Sequence, residues 1–157
     1  MNPAPRPVHQ QVVRLLTNAL ADAAGPGHLA VFDSERRLPT EDRASLYHAP
    51  RPDVLVAPGS ALRGQVALIG TPPLVVVEVL SPGNPKPDIV DKRAVYFSHG
   101  AGHYVEVSIS DDERHVAIVW YRRGTVGWEE AASARGGTAL EIDDPFPLHL
   151  PPDDLLF

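Results

Sequence analysis

Residues 72–82 read PPLVVVEVLSP, four valines and two leucines held between prolines. A β-branched run this short, with chain breakers at both ends, forms a strand. Its lack of apolar–polar alternation places the strand inside a sheet that is covered on both faces. In the middle sits Glu78. An ionised carboxylate in such a place costs several kcal/mol even after relaxation. It must be protonated, paired with a cation or bound to a metal.

The rest of the chain supplies the covering layers. Val8, Val12, Leu15, Leu16, Ala19, Leu20 and Ala23 recur at helical spacing, which predicts a helix over 7–24, ended by Gly25-Pro26-Gly27. HLAVF (28–32) reads as a short strand, and 35–51 as polar and turn-rich. PDVLVAP (52–58) is a second strand between prolines, and a Gly- and Ala-containing loop leads on to 74–80. After SPGNPKP (81–87), residues 88–100 read as a helix with Asp88 as N-cap and Gly100 as its left-handed stop. HYVEVSI (103–109) and HVAIVWYRR (115–123) read as strands joined by the DDER turn. The remainder reads as a sheet-edge extension and a terminal turn. A helix between strands 74–80 and 103–109 makes them parallel neighbours or near neighbours, and the early strands antiparallel. The expected architecture is α/β, a mixed central β-sheet of about four to six strands flanked by α-helices.

The 157 residues suit one domain, 1–157, with a single sizeable core. No cysteine is present, which excludes a disulfide framework and a thiolate zinc site. No signal-peptide-like or membrane-spanning run occurs, so the expected location is the cytoplasm. A formal net charge of −6 argues against strong nonspecific attraction to nucleic acid, while leaving room for a local basic face.

A second carboxylate stands near Glu78. Asp53 opens strand 53–57, which is expected beside 74–80 because sequential strands usually neighbour each other. Two carboxylates on adjacent strands form a hard-oxygen site suited to Mg²⁺ or Mn²⁺. The plain alternatives are a core salt bridge for Glu78 and a capping role for Asp53.

A Pro-Asp at the head of one strand, a Glu near the end of the next, and a following helix with a lysine resemble the PD-(D/E)XK nuclease superfamily. PDVLVAP followed by PPLVVVEVLSPGNPKPDIVDKRAVYFSHGAGHYVEV resembles its Uma-two family of putative restriction endonucleases, common in bacteria. The likeness covers about residues 8–123 well and the tail loosely. It rests on the Glu78–Pro82 block, the Asp88–Lys92–Tyr96 spacing and Gly102-His103-Tyr104.

The resemblance implies a restriction-endonuclease-like core and a metal-dependent endonuclease that hydrolyses DNA phosphodiester bonds. It implies Asp53, Glu78 and the Val79 carbonyl as metal holders, with Lys92 beside the attacking water. It also implies a homodimer that presents two sites to a duplex. Three departures stand out. Leu80 occupies the position where the superfamily's simplest motif has lysine, so the lysine has moved to the helix at Lys92; Lys86, in the Pro-rich loop, is the weaker candidate. Relatives usually begin with an extra Glu-Leu-Ile-Asp-Gly-like strand, and no carboxylate from such a segment is expected here. Val105 stands where relatives often have Trp.

Auxiliary candidates are His9, near the metal or a helix-terminal structural residue; Asp88, favoured as an N-cap; and Tyr96, one turn after Lys92, which orients it or packs. Glu106 is read as solvated. The other histidines, among them His48, His103 and His115, show no zinc-like spacing. Arg36–Arg37 and Arg122–Arg123 are phosphate-contact candidates whose ordinary reading is surface charge. No P-loop is present. Two other readings stay open: the same pocket reused by an enzyme acting on a small molecule, and a noncatalytic binding protein.

Overall fold

The protein is described here from a computed structural model, which covers residues 6–33, 35–37, 51–65 and 67–156. Helix α1 spans Pro7–Ala24 and β1 spans His28–Phe32, at the limits the apolar spacing predicts. Then come β2 (Glu35–Arg37), β3 (Val54–Pro58), the single turn α2 (Gly59–Leu62), β4 (Ala67–Ile69), β5 (Val75–Leu80) and α3 (Lys86–Ser98). Strands β6 (His103–Ile109), β7 (Val116–Arg123), β8 (Trp128–Arg135), β9 (Leu140–Ile142) and β10 (Leu148–Leu150) follow, with a closing 3₁₀ turn at Pro152–Leu155.

Six strands form the main sheet in the order β1-β3-β5-β6-β7-β8. Only β5 and β6 run parallel, and α3 connects them; every other pairing in the sheet is antiparallel. The mixed sheet flanked by helices is thus present. β5 lies inside it, buried on both faces from Val75 to Val79. Val75, Val77 and Val79 pack with Val12, Leu16 and Leu20 of α1 in the larger core. Val76, on the opposite face, packs with Leu55, Tyr96 and Tyr104 in a smaller one. Alternation along a strand therefore puts Glu78 on the α3 face.

Helix α3 buries only Tyr96 in full, so polar contacts secure it. Arg93 makes an ion pair with Glu106 on β6. Trp128 Nε1 donates to the Arg93 carbonyl at 2.9 Å. Arg123 Nε donates to the Ala101 carbonyl at 2.9 Å, its Nη2 to the Phe97 carbonyl, and its guanidinium lies 4.0 Å from the centre of the Phe97 ring. Gly100, at φ 81°, supplies the left-handed residue that ends the helix region.

Several expectations need correction. The helix begins at Lys86 after Pro85, so Asp88 lies inside its first turn and is not the N-cap. A proline suits the second helical position, where no N–H partner is needed, which lets the Pro-rich stretch enter the helix early. Part of the turn-rich segment, 35–37, is a strand paired in parallel with β4 from the expected loop. Such short pairings draw on backbone N–H and C=O groups and leave no apolar pattern to read. The rest of that segment, 38–50 with His48, lies outside the described residues. The tail adds the edge strand β8 and the small antiparallel β9–β10 sheet. No described helix is long and apolar enough to cross a membrane.

Candidate active site

The site forms where β5 ends. In the antiparallel β3–β5 register Val54 faces Val77, so one further step sets Asp53 opposite Glu78. Asp53 Oδ2 accepts the Val79 N–H at 2.7 Å, which ties the head of β3 to the end of β5. The two carboxylates expected on adjacent strands therefore meet at one sheet end.

Glu78 is 3 % exposed. Both of its oxygens have donors from α3. Lys92 Nζ donates to Oε2 at 2.9 Å, and the Tyr96 hydroxyl donates to Oε1. Burial pushes the Glu78 carboxyl above its ordinary value; Lys92 opposes that shift and the Asp53 charge adds to it. Burial, and then the Glu78 charge, holds the Tyr96 hydroxyl protonated far above the usual phenol range. Lys92 and Tyr96 lie four residues apart, so one helix face delivers both.

His9 approaches from the opposite layer, on the first turns of α1. Its Nε2 lies 3.1 Å from the Val79 carbonyl and 3.6 Å from Asp53 Oδ2. A carbonyl only accepts, so Nε2 carries the hydrogen and donates. The Asp53 carboxylate is the main cause that raises the His9 pKa above the ordinary value, against the effect of burial. A cationic imidazole is thus favoured beside two oxygens of the site.

Among the described residues no group of three or more His, Cys, Asp or Glu side chains is arranged to hold a metal ion by itself. The donor set still has the right chemistry for a hard ion. Asp53, Glu78 and the Val79 carbonyl offer oxygen only, and Mg²⁺ keeps several waters on such partial sites. Each of these oxygens already has a donor: Lys92 and Tyr96 take one Glu78 oxygen each, and His9 takes the Val79 carbonyl beside Asp53.

The chain matches, over residues 1–152, the model of the family Uma2, described as "Putative restriction endonuclease". It belongs to the Uma2 family. Among solved structures it resembles a putative nuclease belonging to DUF820 from Anabaena variabilis ATCC 29413. That likeness has a TM-score of 0.71 at 20 % identity and covers 98 % of this chain and 83 % of that one. At this identity it speaks for the fold. No curated protein matches the chain.

In this Uma2 chain the structure brings Asp53, Glu78, Val79, Lys92, Tyr96 and His9 together. It leaves Asp88 exposed in the first turn of α3, where an acidic side chain complements the helix dipole. Lys86 is exposed at the start of that helix, in place of the extended loop expected for it. Leu80 lies two residues beyond Glu78 and so on the same strand face, and Lys92 reaches Glu78 from the helix instead. Val105 is buried opposite Trp120 on β7, which puts an indole in that part of the core from the neighbouring strand.

Other readings change. Glu106 is not solvated: its side chain is 12 % exposed and takes a forked ion pair from Arg93. Arg123 is committed to α3, and Arg122 pairs with Glu129 at 3.2 Å. His103 is buried and accepts the Trp120 indole N–H at 3.0 Å on Nδ1. An indole nitrogen only donates, so this ring is neutral, and burial lowers its pKa. The Arg93–Glu106 pair escaped the sequence reading. Its one signal was Glu106 sharing a strand face with Tyr104, which is ambiguous without the helix that covers it.

Proposed function

We propose that this chain is a metal-dependent nuclease that hydrolyses DNA phosphodiester bonds with Mg²⁺ or Mn²⁺. The observation that carries the reading is the Lys92–Glu78 contact beside Asp53: a lysine from the following helix stands at the carboxylate pair even though Leu80 replaces the strand lysine. Family membership supports the same reaction class.

In this proposal Asp53, Glu78 and the Val79 carbonyl hold the divalent ion. When bound, the ion polarises the scissile phosphate and lowers the pKa of its water. Lys92 offsets the repulsion between the two carboxylates and stabilises charge that develops on the phosphate. Tyr96 fixes the Glu78 carboxylate by holding one of its oxygens. His9 holds the Val79 carbonyl and balances Asp53 until the ion arrives. Labelled single- and double-stranded DNA, incubated with Mg²⁺ or Mn²⁺, tests the reading. Cleavage by the wild type and none by Glu78→Gln is expected. Equal cleavage by both refutes it.

One observation favours a smaller substrate. The β6–β7 turn carries Asp111, Asp112 and Glu113 at the sheet end that also holds Glu78, and only Glu113 has an arginine partner, Arg6 at 3.1 Å, among the described ion pairs of that turn. An acidic margin repels a long polyanion more than a single phosphodiester. Hydrolysis of a chromogenic phosphodiester without DNA cleavage supports this second reading. A two-fold dimer also belongs to the proposal, and light scattering that shows only monomer at micromolar concentration removes it.

A further inference from the structure

Three carboxylates stand in one row across neighbouring strands. Glu78 and Glu106 are direct partners in the parallel β5–β6 register, and Asp53 faces Glu78 from the other side. Adjacent strands lie about 4.8 Å apart. A lysine long enough to reach Glu78 therefore has Glu106 within range as well. Yet Lys92 is bound to Glu78. The next residue, Arg93, turns about 100° further around the helix and closes on Glu106. Its Nε donates to Oε2 and its Nη2 to Oε1, both at 2.8 Å. The Tyr104 hydroxyl adds a bond to Oε2 at 2.9 Å. The guanidinium lies 5.3 Å from the Tyr121 ring centre and 5.9 Å from that of Tyr104.

We propose that Arg93 is a positioning residue of the candidate site: by occupying Glu106 with a forked ion pair, it reserves Lys92 for Glu78. This inference rests on the role proposed above for Lys92. Two carboxylates side by side compete for any cation on the helix above them. A mostly buried carboxylate left without a partner draws in whatever charge can reach it, and Lys92 is one residue away. Arginine settles the competition because its planar fork matches both carboxylate oxygens and its charge is permanent. Lysine binds as a point charge and is the more easily shared. The order Lys92-Arg93 thus assigns one cation to each strand.

The chain has only two lysines, Lys86 and Lys92, so ¹⁵N-lysine labelling gives two side-chain signals. The readout is the change in the Lys92 signal caused by adding Glu78→Gln to each protein. Wild type and Glu106→Gln should both show that change. Arg93→Met, which keeps the stem over the tyrosine rings, should lose most of it. Arg93→Met/Glu106→Gln should regain it, because no competing carboxylate remains. Metal-dependent turnover should follow, about 10- to 100-fold lower in Arg93→Met, with KM within about threefold, and largely recovered in the double variant. A merely structural role predicts that the Lys92 response survives in Arg93→Met, however much stability that variant loses.

An unchanged Lys92 response in Arg93→Met, or a double variant no closer to wild type than Arg93→Met, overturns the proposal. If Arg93→Met does not fold, loss of the response in Glu106→Gln alone overturns it and retention supports it. Absence of DNA cleavage by the wild type defeats the nuclease reading and leaves the lysine signals to decide this one.

Discussion

Lys92 Nζ sits 2.9 Å from Glu78 Oε2, and the two partners differ sharply in exposure: 49 % of the lysine side chain is open to solvent against 5 % of the glutamate. The ammonium thus forms the outer rim of the site and the carboxylate its floor. Lys92→Ala should lower metal-dependent turnover by about 100-fold or more and leave the fold intact. Lys86→Ala should stay within about twofold of wild type. Steady-state kinetics on both variants decide it, since equal losses remove the assignment of Lys92.

Glu78 carries a stability cost that depends on pH. Its folded pKa is raised above the ordinary 4.5. Below the unfolded value both states are protonated and no penalty exists. As pH rises from there through the raised folded value, the unfolded chain releases a proton that the folded one retains, and stability falls. Glu78→Gln should therefore melt higher than wild type at neutral pH, and the gap should close toward pH 4. A gap that does not change with pH contradicts this origin.

His9 should make Mn²⁺ binding pH-dependent. Its pKa lies above 6.5, so at lower pH an imidazolium stands beside Asp53 and the Val79 carbonyl and repels a divalent ion. Loss of that proton removes the repulsion, so affinity should rise as the pH climbs through the raised His9 value, above 6.5. His9→Ala should flatten the profile. Calorimetry across this range shows whether the slope belongs to His9.

Arg123 should matter for stability without touching the site. It donates to the Ala101 and Phe97 carbonyls and stacks on Phe97. Arg123→Ala should cost about 1–3 kcal/mol, read from urea unfolding. Amide exchange should accelerate first at the C-terminal end of α3. Full protection there in the variant shows that the helix end is held by other contacts.

The legible part of the site was its strand chemistry. Glu78 drew attention because a carboxylate contradicts the valines around it, and Asp53 because it heads the strand expected to pair next door. Lys92 was visible through the family resemblance, and helical spacing put Tyr96 one turn after it on the same face. Glu106 was misread because alternation gives a strand residue's face and says nothing about whether a helix covers that face. Asp88 was misplaced because proline is a breaker in most positions and a good second residue in a helix.

What the sequence determined by itself is local: where apolar residues repeat, at 3.6 or not at all, and where prolines and glycines interrupt them. That was enough for α1, for the limits of β1 and β6, and for β5 as an interior strand. Only the tertiary structure decided which distant groups meet. His9 finds the Val79 carbonyl 70 residues away, and Arg93 finds Glu106 across 13. Those encounters depend on strand register and on how two helices dock against opposite faces of one sheet. Register and docking are set by the summed packing of the whole core, and no short window of residues contains that sum.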